Sequence, residues 1–227
     1  MSRPLAIFGA GGQAREALQL VRDINGASPA WDVLGFLVDE GYLGQGTVHG
    51  LPVHGALPWL SAHPEVSLVV AVGSSSARYG IVERLSSRAP NSFATLVHPS
   101  AWLGDGVEIG HGSLVCAGAL LTTDIRVGRH VHVNLACTVG HDAEIRDYAT
   151  LNQRVSVAGN ARVGTGCELG TASCALPGVE LGDWTILGAG TVATEDLPAN
   201  VTAVGAPARI VKNRPPGWHS PHPGEPW

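Results

Sequence analysis

The chain has 227 residues, enough for one large domain or two small ones. Hydrophobic residues make up 44% and charged residues only 15%, with 30 glycines, a balance that suits many tight turns and excludes a long helical bundle. The formal net charge is -5 and no Lys/Arg cluster occurs, so neither nucleic acid nor an anionic membrane is an expected partner.

The opening stretch, Met1 to Phe8, lacks the apolar length and small-residue cleavage site of an export signal, and no run of eighteen apolar residues follows. The expected compartment is the cytoplasm. The four cysteines, Cys116, Cys137, Cys167 and Cys174, contain no Cys-x-x-Cys pair and read as reduced, packed thiols.

Residues 1–92 alternate strand and helix patterns. Leu5-Ala6-Ile7-Phe8 reads as a buried strand, followed by Gly9-Ala10-Gly11-Gly12 and a helical spacing of apolar residues from Gln13 to Asn25. Val33 to Val38 and Leu68 to Val72 read as further strands, and Tyr79 to Ser87 as a helix. This predicts a small Rossmann-like parallel α/β domain with its ligand site beyond the carboxyl ends of the strands. Those ends carry Gly11, Gly12 and Gln13, then Asp39, then Gly73 to Arg78. A glycine-rich turn at a helix start admits a phosphate, although such a turn also occurs without a ligand. The half is short for a full dinucleotide fold, so a nucleotide diphosphate, or no ligand, is expected rather than NAD.

From Val97 the pattern changes. Every sixth residue up to Leu187 is aliphatic in fifteen of sixteen cases, the exception being Ala175, with no insertion to break the register. The position two before is often small, as at Cys137, Ala143 and Ala161, and glycine often follows, as at Gly140, Gly164 and Gly170. A period of six fits a triangular coil with one short strand and one corner per hexad. The aliphatic residue should point inward and stack on its equivalent 18 residues away, and the following glycine should supply a positive φ. Coils about 4.8 Å apart would make a prism about 24 Å tall from five turns. The fourteen residues from Arg214 to Trp227 hold five prolines and are expected to lack regular structure. His219 and His222 there do not read as a metal site. The expected division is therefore 1–92, 93–213 and 214–227.

Most hexad positions need only shape, so polar residues on the coil stand out. Gly140-His141-Asp142 is the best candidate, since an adjacent carboxylate can set the imidazole tautomer for proton transfer. Asn134, seven residues earlier, is able to orient a reacting group. The pattern alone leaves His141 open as either a base or a solvated turn histidine, the reading given to His111 and His130.

The two-part plan resembles the bacterial sialic-acid O-acetyltransferase (NeuD-type) family, which includes nucleotide-amino-sugar N-acetyltransferases. The resemblance spans about residues 4 to 213. It is carried by Gly9-Ala10-Gly11-Gly12, Gly35-Phe36-Leu37-Val38-Asp39, Ala71-Val72-Gly73, Val97-His98-Pro99, Val139-Gly140-His141-Asp142, Leu176-Pro177-Gly178-Val179, Gly188-Ala189-Gly190 and Val204-Gly205-Ala206-Pro207-Ala208-Arg209. It implies a left-handed parallel β-helix of hexapeptide repeats, a homotrimer, and acetyl-CoA bound between neighbouring β-helices without a metal. It makes His141 the general base, Asp142 its partner, Asn134 a holder of the acceptor, and the Gly159 N–H the oxyanion donor. Thr171, Gly188, Ala189, Ala206, Pro207 and Lys212 would line the CoA. Gly11, Gly12, Gln13, Asp39, Gly73 and Arg78 would line a nucleotide-linked sugar.

Some positions depart from the family. Gln13 stands where His is usual, Val38 where a first Asp is frequent, and Ser74 where Asn is. A histidine that some relatives place near the thioester is Thr150 here. The acyltransfer machinery thus reads as intact and the acceptor site as altered. The leading expectation is N-acetylation of a nucleotide-linked amino sugar by direct attack on the thioester. The alternatives are O-acetylation of sialic acid or a related sugar, a non-catalytic β-helix scaffold, and a carbonic-anhydrase-like metalloenzyme that would need three converging histidines.

Overall fold

A computed structural model of the chain describes residues 2–44, 46–87 and 92–220. The first part runs β1 (Arg3–Phe8), α1 (Gly12–Ala27), β2 (Trp31–Val38), β3 (Thr47–Val48), β4 (Leu51–Gly55), α2 (Ala56–Ala62), β5 (Ser67–Val70) and α3 (Ser75–Ser86). The sheet order is β3-β4-β2-β1-β5, and all pairings are parallel except the β3–β4 hairpin. β1 lies inside the sheet, which explains its unbroken apolar run. Leu5 and Ile7 enter the core shared with α1, and Ala6 and Phe8 enter the core shared with α3.

β3, β4 and α2 were not expected. The hairpin turns on His49 (φ 48) and Gly50 (φ 80), both left-handed, but His-Gly is not one of the usual turn pairs. Pro52 sits within β4, and α2 is too short to show a period.

Beyond residue 95 the hexads form two-residue strands on three parallel faces. Registry is i to i+18, as in Leu121 to Val139 to Val157, until the last coil, where Ile186 pairs with Thr202 at i+16. The aliphatic residues point inward, and Leu121, Val139 and Leu169 are fully buried. The small residues two positions earlier, such as Cys137 and Cys167, are buried beside them. Burial pushes these two thiols up, to about 11 and about 12.

One expectation about the corners is corrected. The left-handed residue is not the glycine after the aliphatic one but the residue three positions after it. Asp142 (φ 58), Tyr148 (φ 62) and Arg154 (φ 61) all occupy that conformation. The glycine is required by close approach instead: a Cβ on Gly140 would lie 2.5 Å from the Gly159 nitrogen, and one on Gly170 would lie 2.6 Å from the Ala189 nitrogen.

The three faces differ in what they point outward. One carries His132, Thr150 and Glu168 and is covered by the α/β part, so we call it the docked face. A second carries Glu108, Arg126, Glu144, Arg162 and Glu180 in one column, a ladder of alternating charge. The third carries Trp102, Leu120, Thr138, Ser156, Cys174 and Val192, and among the described residues nothing covers it. On this open face Trp102 is 56% and Leu120 44% exposed. The coil ends in an antiparallel pair, Val201–Val204 with Arg209–Asn213.

Residues 214–220 form neither helix nor strand, yet they are fastened: His219 stacks on Trp184 at 3.8 Å between ring centroids and Arg214 lies over Trp218 at 4.5 Å. Residues 221–227, the rest of the expected tail and the site of His222, lie outside the described residues.

Candidate active site

The ends of β1 and β2, with Val72 just beyond β5, open into a cavity of about 560 Å³. Its walls include Gly9, Gly11, Val38, Asp39, Tyr42, Val72, Ala77 and Ile81. This is where a parallel sheet places its ligand crevice. Gly11 caps α1 and no side chain bonds the first-turn amides, so bare backbone amides stand at that helix start. The walls are mostly apolar. The Asp39 carboxylate is held by Arg84 of α3, whose Nη2 donates to Oδ1 at 2.7 Å and Oδ2 at 2.9 Å. Arg84 was not singled out in the sequence; it lies 45 residues from Asp39, and no local spacing links them.

Gln13 and Gly73 meet beside this cavity, since a Cβ on Gly73 would lie 3.9 Å from Gln13 Oε1. Gln13 Nε2 donates to Asn134 Oδ1 at 3.4 Å, across 121 residues of chain. Asn134 is buried, and its Nδ2 donates to the Leu151 carbonyl at 2.9 Å. Asn134 therefore stands with Gln13 and not, within one chain, beside His141.

Arg78 does not line the cavity. It is fully buried between α3 and the docked face. Its Nε donates to the His130 carbonyl at 2.9 Å, its Nη1 to the Val72 carbonyl at 2.7 Å, and its Nη2 to the Tyr148 carbonyl at 2.7 Å and Thr150 Oγ1 at 2.8 Å. Desolvation lowers its pKa to about 9. Thr150 is likewise a buried junction residue, bonded also to Ser75 Oγ at 3.0 Å.

His130 is not a solvated turn histidine. It is buried, stacked on Tyr148, with its pKa driven down to about 3, first by desolvation and then by His111 and Arg78. His132 is also held neutral, chiefly by burial. Its Nε2 meets the Val70 carbonyl at 3.2 Å, so that nitrogen carries the hydrogen and Nδ1 faces Arg78.

His141 sits on the edge between the open and charged faces, after the open-face strand Thr138–Val139. Its Nδ1 is 2.8 Å from Asp142 Oδ2. A carboxylate only accepts, so Nδ1 carries the hydrogen and Nε2 presents a lone pair. Asp142 reaches this position through its left-handed backbone. On the next coil Gly159 lies against the imidazole; a Cβ there would be 2.6 Å from Nε2. Among the described residues the Gly159 N–H has no acceptor, while its carbonyl accepts from Gly178.

The remaining candidates fall on the other edge of the open face. Thr171 follows the docked-face strand Glu168–Leu169, Gly188 and Ala189 follow Ile186–Leu187, and Ala206 and Pro207 follow Val201–Val204. These corners stack on one another, for the Gly190 N–H donates to the Thr171 carbonyl at 2.9 Å. Lys212 is exposed on the final strand. Gln13 and Asn134 share this edge lower down. The open face thus separates two groups: His141, Asp142 and the Gly159 amide on one edge, the crevice of the α/β part and the Thr171 to Pro207 column on the other.

Among the described residues no group of three or more His, Cys, Asp or Glu is arranged to hold a metal ion, and no helix is long and apolar enough to cross a membrane. Residues 4–85 match the family of the PglD N-terminal domain. The chain is 28% identical to GDP-perosamine N-acetyltransferase of Escherichia coli O157:H7, over 92% of this chain and 96% of that protein. It superimposes on a histidine-to-asparagine variant of perosamine N-acetyltransferase from Caulobacter crescentus, solved with CoA and GDP-perosamine, with a TM-score of 0.84 and 30% identity, covering 92% of this chain and 97% of that one. The acetyltransferase domain of PglB from Neisseria gonorrhoeae, solved with acetyl coenzyme A, gives a TM-score of 0.80 at 28% identity, covering 93% and 100%. The hexad coil, the nucleotide-type crevice and these full-length likenesses together place the chain in the hexapeptide-repeat family of nucleotide-amino-sugar N-acetyltransferases, as an acetyl-CoA-dependent acyltransferase.

Proposed function

We propose that the chain acetylates the amino group of GDP-perosamine or a similar GDP-linked amino sugar, as a cytoplasmic homotrimer whose active sites form between chains. The observation that carries the composite site is the separation of the two half-sites across an uncovered face bearing Trp102 and Leu120. One chain brings the acceptor cavity and the column for acetyl-CoA; its neighbour brings His141, Asp142 and the Gly159 amide. The GDP-sugar acceptor is supported by relatives of matching length that are named for it or hold it.

In this reading Gly11 and Gly12 seat the diphosphate at the start of α1, and Asp39, braced by Arg84, takes a ribose hydroxyl. The amine attacks the thioester carbonyl as His141 Nε2 removes its proton. Asp142 steadies the imidazolium that forms. The Gly159 N–H donates to the developing oxyanion, where a fixed donor acts most strongly. The C–S bond then breaks, and His141 passes its proton to the departing thiolate.

The test is thiol release from acetyl-CoA with GDP-perosamine and with UDP- and dTDP-linked 4-amino sugars. Turnover should be greatest with the GDP sugar, and His141→Ala should abolish it while acetyl-CoA still binds. Full turnover in that variant refutes the mechanism. A fully active monomer in sedimentation refutes the composite site.

A further inference from the structure

We infer that Gln13 presents its side-chain carbonyl oxygen to the nucleophile and so selects an amine over a hydroxyl, an inference that rests on the composite site above. The hydrogen-bond chain that orients Gln13 starts at Asn134, two residues away from the substrate. Asn134 Nδ2 donates to the Leu151 carbonyl at 2.9 Å, and a carbonyl can only accept. The Asn134 amide is therefore oriented, with Oδ1 turned toward Gln13. Gln13 must answer with a donor, which places Nε2 there at 3.4 Å and turns Oε1 away. That oxygen lies toward Gly73, beside the cavity, 3.9 Å from where a Cβ on Gly73 would stand, and among the described residues it has no donor partner. Asn134 is a positioning residue; the group offered to substrate is Gln13 Oε1, neutral and without a titration.

A second acceptor, His141 Nε2, comes from the neighbouring chain. A neutral primary amine has two N–H groups and one lone pair. Two acceptors take the two N–H groups and leave the lone pair aimed at the thioester carbon. The C–N bond forms, the C–S bond breaks, and the proton accepted by His141 goes to the thiolate sulfur. A hydroxyl has one hydrogen, which His141 must take, so Gln13 Oε1 would be left unmet. A site that bonds a substrate hydrogen disfavours the analogue lacking it.

The experiment compares GDP-perosamine with its 4-hydroxy counterpart, using the full-length protein and acetyl-CoA, read by CoA release. The wild type should favour the amine by about a hundredfold or more in kcat/KM. Gln13→Leu should lower kcat/KM for the amine about tenfold, leave KM for acetyl-CoA unchanged, and narrow the amine preference. In Gln13→Glu a carboxylate should hold the bound amine as ammonium and move the acid limb of kcat, measured at saturating acceptor, upward by about one pH unit. Wild-type selectivity in Gln13→Leu, or an unmoved acid limb in Gln13→Glu, overturns the inference alone. A wild-type protein that turns over no nucleotide-linked amino sugar removes the functional reading, and this inference falls with it.

Discussion

Gly159→Ala tests the catalytic edge most directly, because it changes one methyl group and keeps the backbone amide. A Cβ at this position would stand 2.6 Å from His141 Nε2 and 2.7 Å from its Cε1. Ordinary contact begins near 3.4 Å, so the imidazole must retreat by about 0.8 Å. The ring is exposed and held only by the equally exposed Asp142 side chain, and Gly159 does not use a left-handed backbone, so folding should cost less than about 1 kcal/mol. Catalysis has no such freedom. A base displaced by this distance loses alignment with the attacking amine, and about 10- to 100-fold in kcat is expected, or ~1.4–2.8 kcal/mol in the barrier. The assay pairs steady-state CoA release with thermal unfolding. An unchanged kcat at an unchanged Tm would show that His141 does not work from its position over Gly159.

Asp142→Asn keeps a side chain that tolerates the left-handed corner but offers Nδ1 an amide that can impose the wrong tautomer; kcat should fall at least about tenfold, with KM for acetyl-CoA held. Arg78→Met should lower stability by about 3–5 kcal/mol in denaturant unfolding, because several carbonyls at the domain junction lose their donor at once. His130 and His132 are held below their unfolded pKa, so the unfolded chain binds protons first as pH falls. Stability should be full above pH ~6.5 and decline below it by up to ~1.4 kcal/mol per pH unit for each histidine, measured as Cm against pH. For His130 the decline should continue toward pH 3.

The hexad coil was legible residue by residue because its rule is local. Each inward position from Val115 to Leu187 obeys the same steric demand, and the pleat repeats it every six residues. The reason for the glycines was not legible, since Gly140 is constrained by the backbone of Gly159, a whole coil away. The same limit misplaced Arg78. Its position at a strand end suggested a ligand contact, whereas its donors are consumed by the nearby Val72 carbonyl and by carbonyls and a hydroxyl 52 to 72 residues later. Asn134 looked close to His141 because seven residues separate them, but one strand of the open face lies between, so they occupy opposite edges of the prism.

The amino-acid sequence by itself determined the two-part architecture, the inward rows of the coil, the crevice at the strand ends and the pairing of His141 with Asp142. All of these follow from periodicity or from neighbours along the chain. Tertiary structure alone decided which polar groups share a site. It turned Asn134 toward Gln13, tied Asp39 to Arg84, consumed Arg78 and Thr150 at a buried junction, and set the Gly159 amide beneath His141. The physical reason is that side-chain direction on a β-helix depends on which edge a residue turns and which coil lies above it, and both are set by contacts between residues far apart in sequence.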